Sequence, residues 1–200
     1  MSRYLYATPL SGHCHRVCLL LNMLGLPYEV IPAPADVRTR AEFKRLSPFG
    51  QIPVLVDGEV TLADSAAIMV YLVKRYAPGS HWLPDDPQTA AQIVQWLGKA
   101  AGEIRYGVAS ARLIRLFGVD EDYDSAVRVA QRFLPQLDAH LQVRDWLVSE
   151  QPTIADLACY AYVAAAPQGG ITLESWPSIR NWLARVAALP GFEPLPEAGA

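Results

Sequence analysis

The chain is short of most features that would assign it to a specialised class. Three cysteines in 200 residues are too few to staple a fold, which excludes a disulfide scaffold and fits a reducing compartment. Charged residues make up only 18% and the net charge is −3, so the basic field of a nucleic-acid or anionic-membrane binder is missing. No uninterrupted apolar run reaches the roughly 18 residues of a membrane span, and the opening MSRYLYATPL lacks the long apolar core of a secretion signal. Internal repeats and low-complexity tracts are missing as well. Together these absences predict a soluble, cytoplasmic protein with no nucleic-acid and no membrane partner.

What is present is apolar surface. Hydrophobic residues make up 52% of the chain, enough to bury one large core or two small ones. The sparse charge is uneven: residues 1–80 hold eight Lys/Arg against six Asp/Glu, and residues 81–200 hold nine against fourteen. The first part therefore tolerates anions better than the second.

Residues 3–7 (RYLYA) favour a short strand before Pro9. From His13 the apolar positions Cys14, Val17, Cys18, Leu21 and Leu24 fall on one helical stripe, with Gly25 as its stop. A second strand is predicted at 27–32, a polar helix at 39–48, and a hairpin over 52–62 about Asp57-Gly58. Ser65 opens a helix that ends near Lys74 and Arg75, cations placed to favour the helix C-terminus. The order is βαβαββα over residues 1–76. A proline-rich linker follows at 77–87, and 88–200 reads as all-helical, with helices near 88–117, 123–142, 153–166 and 177–188. The predicted fold class is a small α/β domain followed by a helical bundle.

Two stretches invite chemistry. Pro53 stands at the start of a predicted strand, where a residue without an N–H is awkward unless it forms an edge or a fixed turn. A cis Ile52–Pro53 bond would leave the Ile52 N–H and C=O open to an extended peptide ligand, as in strand addition. The other stretch, LSGHCHRVCLL (10–20), gathers Ser11, His13, Cys14, His15 and Cys18. A Ser–His nucleophile there lacks an evident acidic partner. A metal site is disfavoured because Cys14 and Cys18 share the apolar stripe and should face the core, so no metal is expected.

Joined to the preceding βαβ unit, QIPVLVDGEVTLADSAAI resembles the cytosolic glutathione S-transferase family. So do SPFGQIPVL as a cis-proline segment, LADSAAIMVYL as an acidic-Ser-x-Ala-Ile segment, and PTIADLACY as the capping segment of a helical domain. The likeness is to bacterial serine-type members of theta, zeta or nu character. It implies a thioredoxin-like glutathione-binding domain, an all-α C-terminal domain lining an electrophile site, and a homodimer. It also implies no cofactor, because glutathione enters as co-substrate, and a detoxifying transferase activity.

Carried onto this chain, the resemblance places Ile52, beside Pro53, in main-chain pairing with the cysteinyl part of glutathione, and Asp64 and Ser65 on its γ-glutamyl end. A helix start favours a carboxylate there, and Asp64 suits the ammonium group. Gln51 is favoured for the glycyl carboxylate, with Arg38, Arg40 and Lys44 as alternatives. Ser11 matches the serine-type hydroxyl by its spacing to Cys14 and Val17, and would donate to the glutathione sulfur. Tyr6 and Cys14 are its rivals, Cys14 being the residue of a disulfide-exchanging variant. LSGHCHRV also approaches the SSCSxRV pattern of the zeta-class isomerases, with Gly12 for the second serine and His13 for the cysteine. In the helical domain Tyr106 and Arg112 are candidates to face a hydrophobic electrophile. Thr153 and Asp156 form a capping box, and Trp96, Trp146, Trp176 and Trp182 read as core or interface aromatics. Peroxidase, disulfide reductase, isomerase or dehalogenase outcomes, and a binding protein without turnover, stay open as alternatives.

Overall fold

The computed structural model describes residues 3–196. The chain divides into two compact units: one runs to Ser80 and takes back the segment from Pro190, and the other is His81–Leu189. The return of 190–196 to the first unit is not part of a linear division at residues 76 and 88. It is fixed where Gly191, at φ +83°, passes α1 so closely that a Cβ would meet the Asn22 carbonyl oxygen at 3.2 Å. Only glycine accepts both that angle and that approach.

The first unit runs β1 (Arg3–Ala7), α1 (Gly12–Met23), β2 (Glu29–Pro32), α2 (Ala35–Arg38), α3 (Ala41–Leu46), β3 (Val54–Asp57), β4 (Val60–Ala63) and α4 (Ser65–Tyr76). Its four strands are ordered β2-β1-β3-β4. β1 pairs parallel with β2 and antiparallel with β3, and β3 pairs antiparallel with β4. The hairpin turns at Gly58, at φ +61°, as the Asp-Gly pair predicts. The α1 helix is buried more widely than its predicted stripe, since Leu19 and Leu20 are buried beside Cys14, Val17 and Leu21. α2 has no counterpart in the sequence reading because it buries no residue and so carries no periodic signal.

The second unit comprises α5 (Pro87–Lys99), a π-wound segment (Ala100–Ala109), α6 (Ser110–Phe117), α7 (Tyr123–Leu141), α8 (Ile154–Ala164), a 3₁₀ turn (Ala166–Gly169) and α9 (Pro177–Ala187). The first three form one helical run, and the Ser110 N–H reaches back five residues to the Arg105 carbonyl, as π winding requires. α8 starts in the expected capping box of Thr153 and Asp156. Asp156 does more than cap. Its carboxylate, fully buried, accepts from the Thr153 N–H and hydroxyl, the Leu147 N–H and the Trp182 indole N–H. Burial pushes the Asp156 pKa up, and these four donors act against that shift. Among the described residues no helix is long and apolar enough to cross a membrane.

Candidate active site

The register of the sheet decides which loops lie together. Tyr6 on β1 faces both Ile31 on β2 and Val54 on β3, and Val54 in turn faces Ala63 on β4. The C-terminal ends of β1, β2 and β4 therefore share one end of the sheet with the N-terminal end of β3. Ser11 follows β1, the α2 residues follow β2, Ile52 and Pro53 precede β3, and Asp64 and Ser65 follow β4. The fold brings to one sheet end the residues that the sequence singles out from four separated segments.

At the first of these, Ser11 is the N-cap of α1, and its Oγ accepts the Cys14 N–H at 3.3 Å. The hydroxyl remains half-exposed, and an oxygen that accepts from the helix still has its hydrogen to donate. Cys14 is 2% exposed. Burial raises its pKa, with hydrogen bonds from the Ser11 side chain and the Thr8 backbone opposing. Cys18 is pushed up to about 11, chiefly by burial. Neither thiol is poised as a thiolate. Tyr6 packs edge-on against Phe43 with ring centroids 5.9 Å apart, in an apolar cluster that also includes Ile52.

The Ile52–Pro53 peptide is cis. Pro53 is buried and Ile52 half-buried. Neither the Ile52 N–H nor its C=O is hydrogen-bonded to another described residue. An extended peptide laid beside Ile52 would find one donor and one acceptor waiting.

The helix after β4 begins at Ser65, where the sequence places its start. Asp64, not Ser65, is the N-cap of α4, its Oδ1 accepting the Ala67 N–H at 2.8 Å. Asp64 holds φ at 144°, a region that residues with a side chain rarely adopt. Strain of this kind persists where surrounding structure enforces it, and it gathers at ligand sites. Ser65 is thereby relieved of capping. Its side chain is 5% exposed, and its hydroxyl has no partner among the described residues.

Of the cations offered as alternatives to Gln51, Arg40 is paired with Asp36 at 2.6 Å, while Arg38 keeps a buried Nε without a hydrogen-bond partner among the described residues. The backbone carbonyl of Arg38 lies 3.2 Å from where a Cβ on Gly50 would sit, and its charge acts on Cys14. Gln51 itself is exposed. Its N–H donates to the Oγ of Ser47 at 3.0 Å, and Ser47 is a residue the sequence reading did not single out. A serine before a proline carries no signal that its hydroxyl will turn inward.

In the second unit the two candidate residues separate. Tyr106 is 62% exposed on the π-wound segment, whereas Arg112 is 1% exposed and donates from Nε to the Gln168 side chain at 2.6 Å. His15 also has a structural contact, its Nε2 bonding the Glu193 carbonyl at 2.7 Å. No three His, Cys, Asp or Glu side chains gather as a metal site among the described residues.

Residues 5–81 match the family model of the glutathione S-transferase N-terminal domain, and residues 102–190 that of the C-terminal domain. The chain belongs to the glutathione S-transferase family. Among relatives it is 32% identical to glutathione S-transferase 3 of Zea mays, over 94% of this chain and 90% of that one. It is also 32% identical to glutathione S-transferase theta-2 of Mus musculus, over 99% and 86%. A solved glutathione S-transferase from Pseudomonas fluorescens superposes with a TM-score of 0.89 at 31% identity, covering 98% of this chain and 99% of that chain. A transferase structure from Xanthobacter autotrophicus gives 0.89 at 28% identity, covering 97% of each. The α/β unit is accordingly the thioredoxin-like domain of the family, and the helical unit its C-terminal domain.

Proposed function

We propose that this family member conjugates glutathione to an electrophilic small molecule, with Ser11 donating its hydroxyl hydrogen to the glutathione sulfur. The observation that carries the reading is the shared sheet end. It gathers a helix-capping serine, an unpaired main-chain donor and acceptor at Ile52, and a helix start whose Ser65 hydroxyl is unoccupied. In this reading glutathione runs along Ile52 and Pro53 with its γ-glutamyl end at Asp64 and Ser65. The carboxylate gains from the open N–H groups and positive dipole end of α4.

The glycyl carboxylate belongs to Gln51 in this reading. The buried Nε of Arg38 supports that residue as a second contact. A free thiol with pKa near 8.5 is only a few per cent ionised at neutral pH, so one hydroxyl donor plus the α1 N-terminus can raise the thiolate about tenfold. The attacking atom is the sulfur of glutathione, and binding supplies proximity. The exposure of Tyr106 supports it as a contact for a hydrophobic electrophile. The burial of Arg112 favours packing over contact.

The reading extends to a cytoplasmic homodimer with a detoxifying role, supported by family membership and by the lack of a membrane-crossing helix among the described residues. The burial and raised pKa of Cys14 count against thiol–disulfide exchange as the main outcome. The test is conjugation of glutathione to an activated chloroarene, run beside disulfide and peroxide reduction. Conjugation by the wild type that is lost in Ser11→Ala is expected. Glutathione binding with no turnover in any of the three assays would establish the non-catalytic alternative.

A further inference from the structure

Building on the proposed glutathione site, we infer that Ser47 is a positioning residue, whose buried hydroxyl sets the loop that presents Gln51 and Ile52 to the ligand. Ser47 is 1% exposed and sits just past the last turn of α3, to which its N–H is tied through the Phe43 carbonyl at 2.9 Å. Its own carbonyl accepts the Gly50 N–H at 2.9 Å, and its Oγ accepts the Gln51 N–H at 3.0 Å. One residue thus grips the turn from both sides of its peptide chain.

Packing does not hold this turn. Pro48 and Gln51 are exposed, and Phe49 is 88% exposed, so three of the four residues after Ser47 bury little apolar surface. Gly50, at φ +64°, adds only a close approach to the Arg38 carbonyl. The Ser47 hydroxyl pins the Gln51 N–H and with it the Gly50–Gln51 peptide plane, and the next plane, which carries the open donor of Ile52, continues directly from that fixed one through the two dihedrals of Gln51. A hydroxyl that fixes the first plane before the ligand arrives lowers the ordering cost of binding. Removing it leaves the Gln51 N–H without that acceptor. The electrophile and the sulfur lie elsewhere on the reaction path, so the effect falls on glutathione affinity and not on the chemical step.

The experiment measures glutathione affinity by calorimetry, and kcat and KM for glutathione, in wild type, Ser47→Ala and Ser47→Thr, with thermal melts of each. In Ser47→Ala the Kd and KM for glutathione should rise roughly five- to tenfold, the effect of one lost hydrogen bond. Its kcat at saturation should stay within about twofold of wild type. Ser47→Thr, which keeps the hydroxyl, should restore most of the affinity. Unchanged affinity in a folded Ser47→Ala overturns the assignment while leaving the glutathione site standing. A fall in kcat with no change in KM overturns it too. Absence of glutathione binding by the wild type removes the functional reading itself. If Ser47→Ala fails to fold, Ser47→Thr and Ser47→Gly decide by the same split.

Discussion

The Ser11 Oγ accepts the Cys14 N–H at 3.3 Å, so the side chain proposed to hold the sulfur also caps the helix beneath it. The two duties separate by substitution. Ser11→Ala removes both, costing about 0.5 to 2 kcal/mol of stability together with most conjugating activity. Ser11→Asp keeps an acceptor for the cap but places a negative charge where the thiolate should form. Ser11→Asp is expected to melt near the wild-type temperature and to be as inactive as the alanine variant, checked by calorimetry and a conjugation assay on the same samples.

Asp64 and Ser65 make the opposite pair. The cap of α4 rests on Asp64, so Ser65→Ala should leave thermal stability within about 0.5 kcal/mol of wild type while weakening glutathione roughly tenfold. Asp64→Ala should lose both affinity and about 1 kcal/mol of stability. Asp64→Gly, free to adopt φ 144°, should recover part of the stability but none of the affinity. Melting curves and glutathione titrations read the two effects independently.

Much of this was legible from local chemistry. The Asp57-Gly58 turn, the Thr153–Asp156 box and the helix from 123 to the low 140s follow from residue types whose preferences act within a few positions. Pro53 announced a backbone that could not be an ordinary strand. Other features depend on distant partners. Ser65 was legible as the start of α4, whereas the cap on Asp64 at φ 144° belongs to the way the chain leaves β4, which no propensity encodes. Arg112 looks like a surface or pocket cation in sequence, yet it is enclosed beside the 3₁₀ turn, where its Nε donates to Gln168 and Gly169 approaches so closely that a Cβ would sit 2.7 Å from the Arg112 main-chain nitrogen. The return of 190–196 onto α1 has no periodic signal, and its contacts there include the close approach of Gly191 and the main-chain carbonyl of Glu193, which no residue pattern announces.

Asp156 holds four donors in a buried interior, so its loss should exceed that of an ordinary cap. Thr153→Ala should cost about 1 kcal/mol, and Asp156→Ala roughly 3 kcal/mol or more, because several buried N–H groups lose their acceptor. Urea denaturation gives both values. Trp182 fluorescence should shift in Asp156→Ala before the global transition, since its indole N–H donates to this carboxylate at 2.9 Å.

His15 links stability to pH. Burial lowers its pKa below the ordinary 6.5, against an upward pull from Glu193 and with a further downward push from Arg16. Below the unfolded value the unfolded chain binds a proton that the folded chain resists, so stability falls as pH drops from about 6.5 toward the lowered folded pKa. His15→Gln should flatten the stability profile in that window. Equal slopes for variant and wild type, measured by urea titration from neutral to mildly acidic pH, would remove His15 as a source.

The most direct test titrates the thiol of bound glutathione by its ultraviolet thiolate absorbance, in wild type and in Ser11→Ala at saturating glutathione. The account predicts a wild-type thiol pKa at least about one unit below the free value, returning toward it in Ser11→Ala with glutathione still bound. Identical titrations in the two proteins, or a pKa restored to the free value by Tyr6→Phe and not by Ser11→Ala, would contradict it.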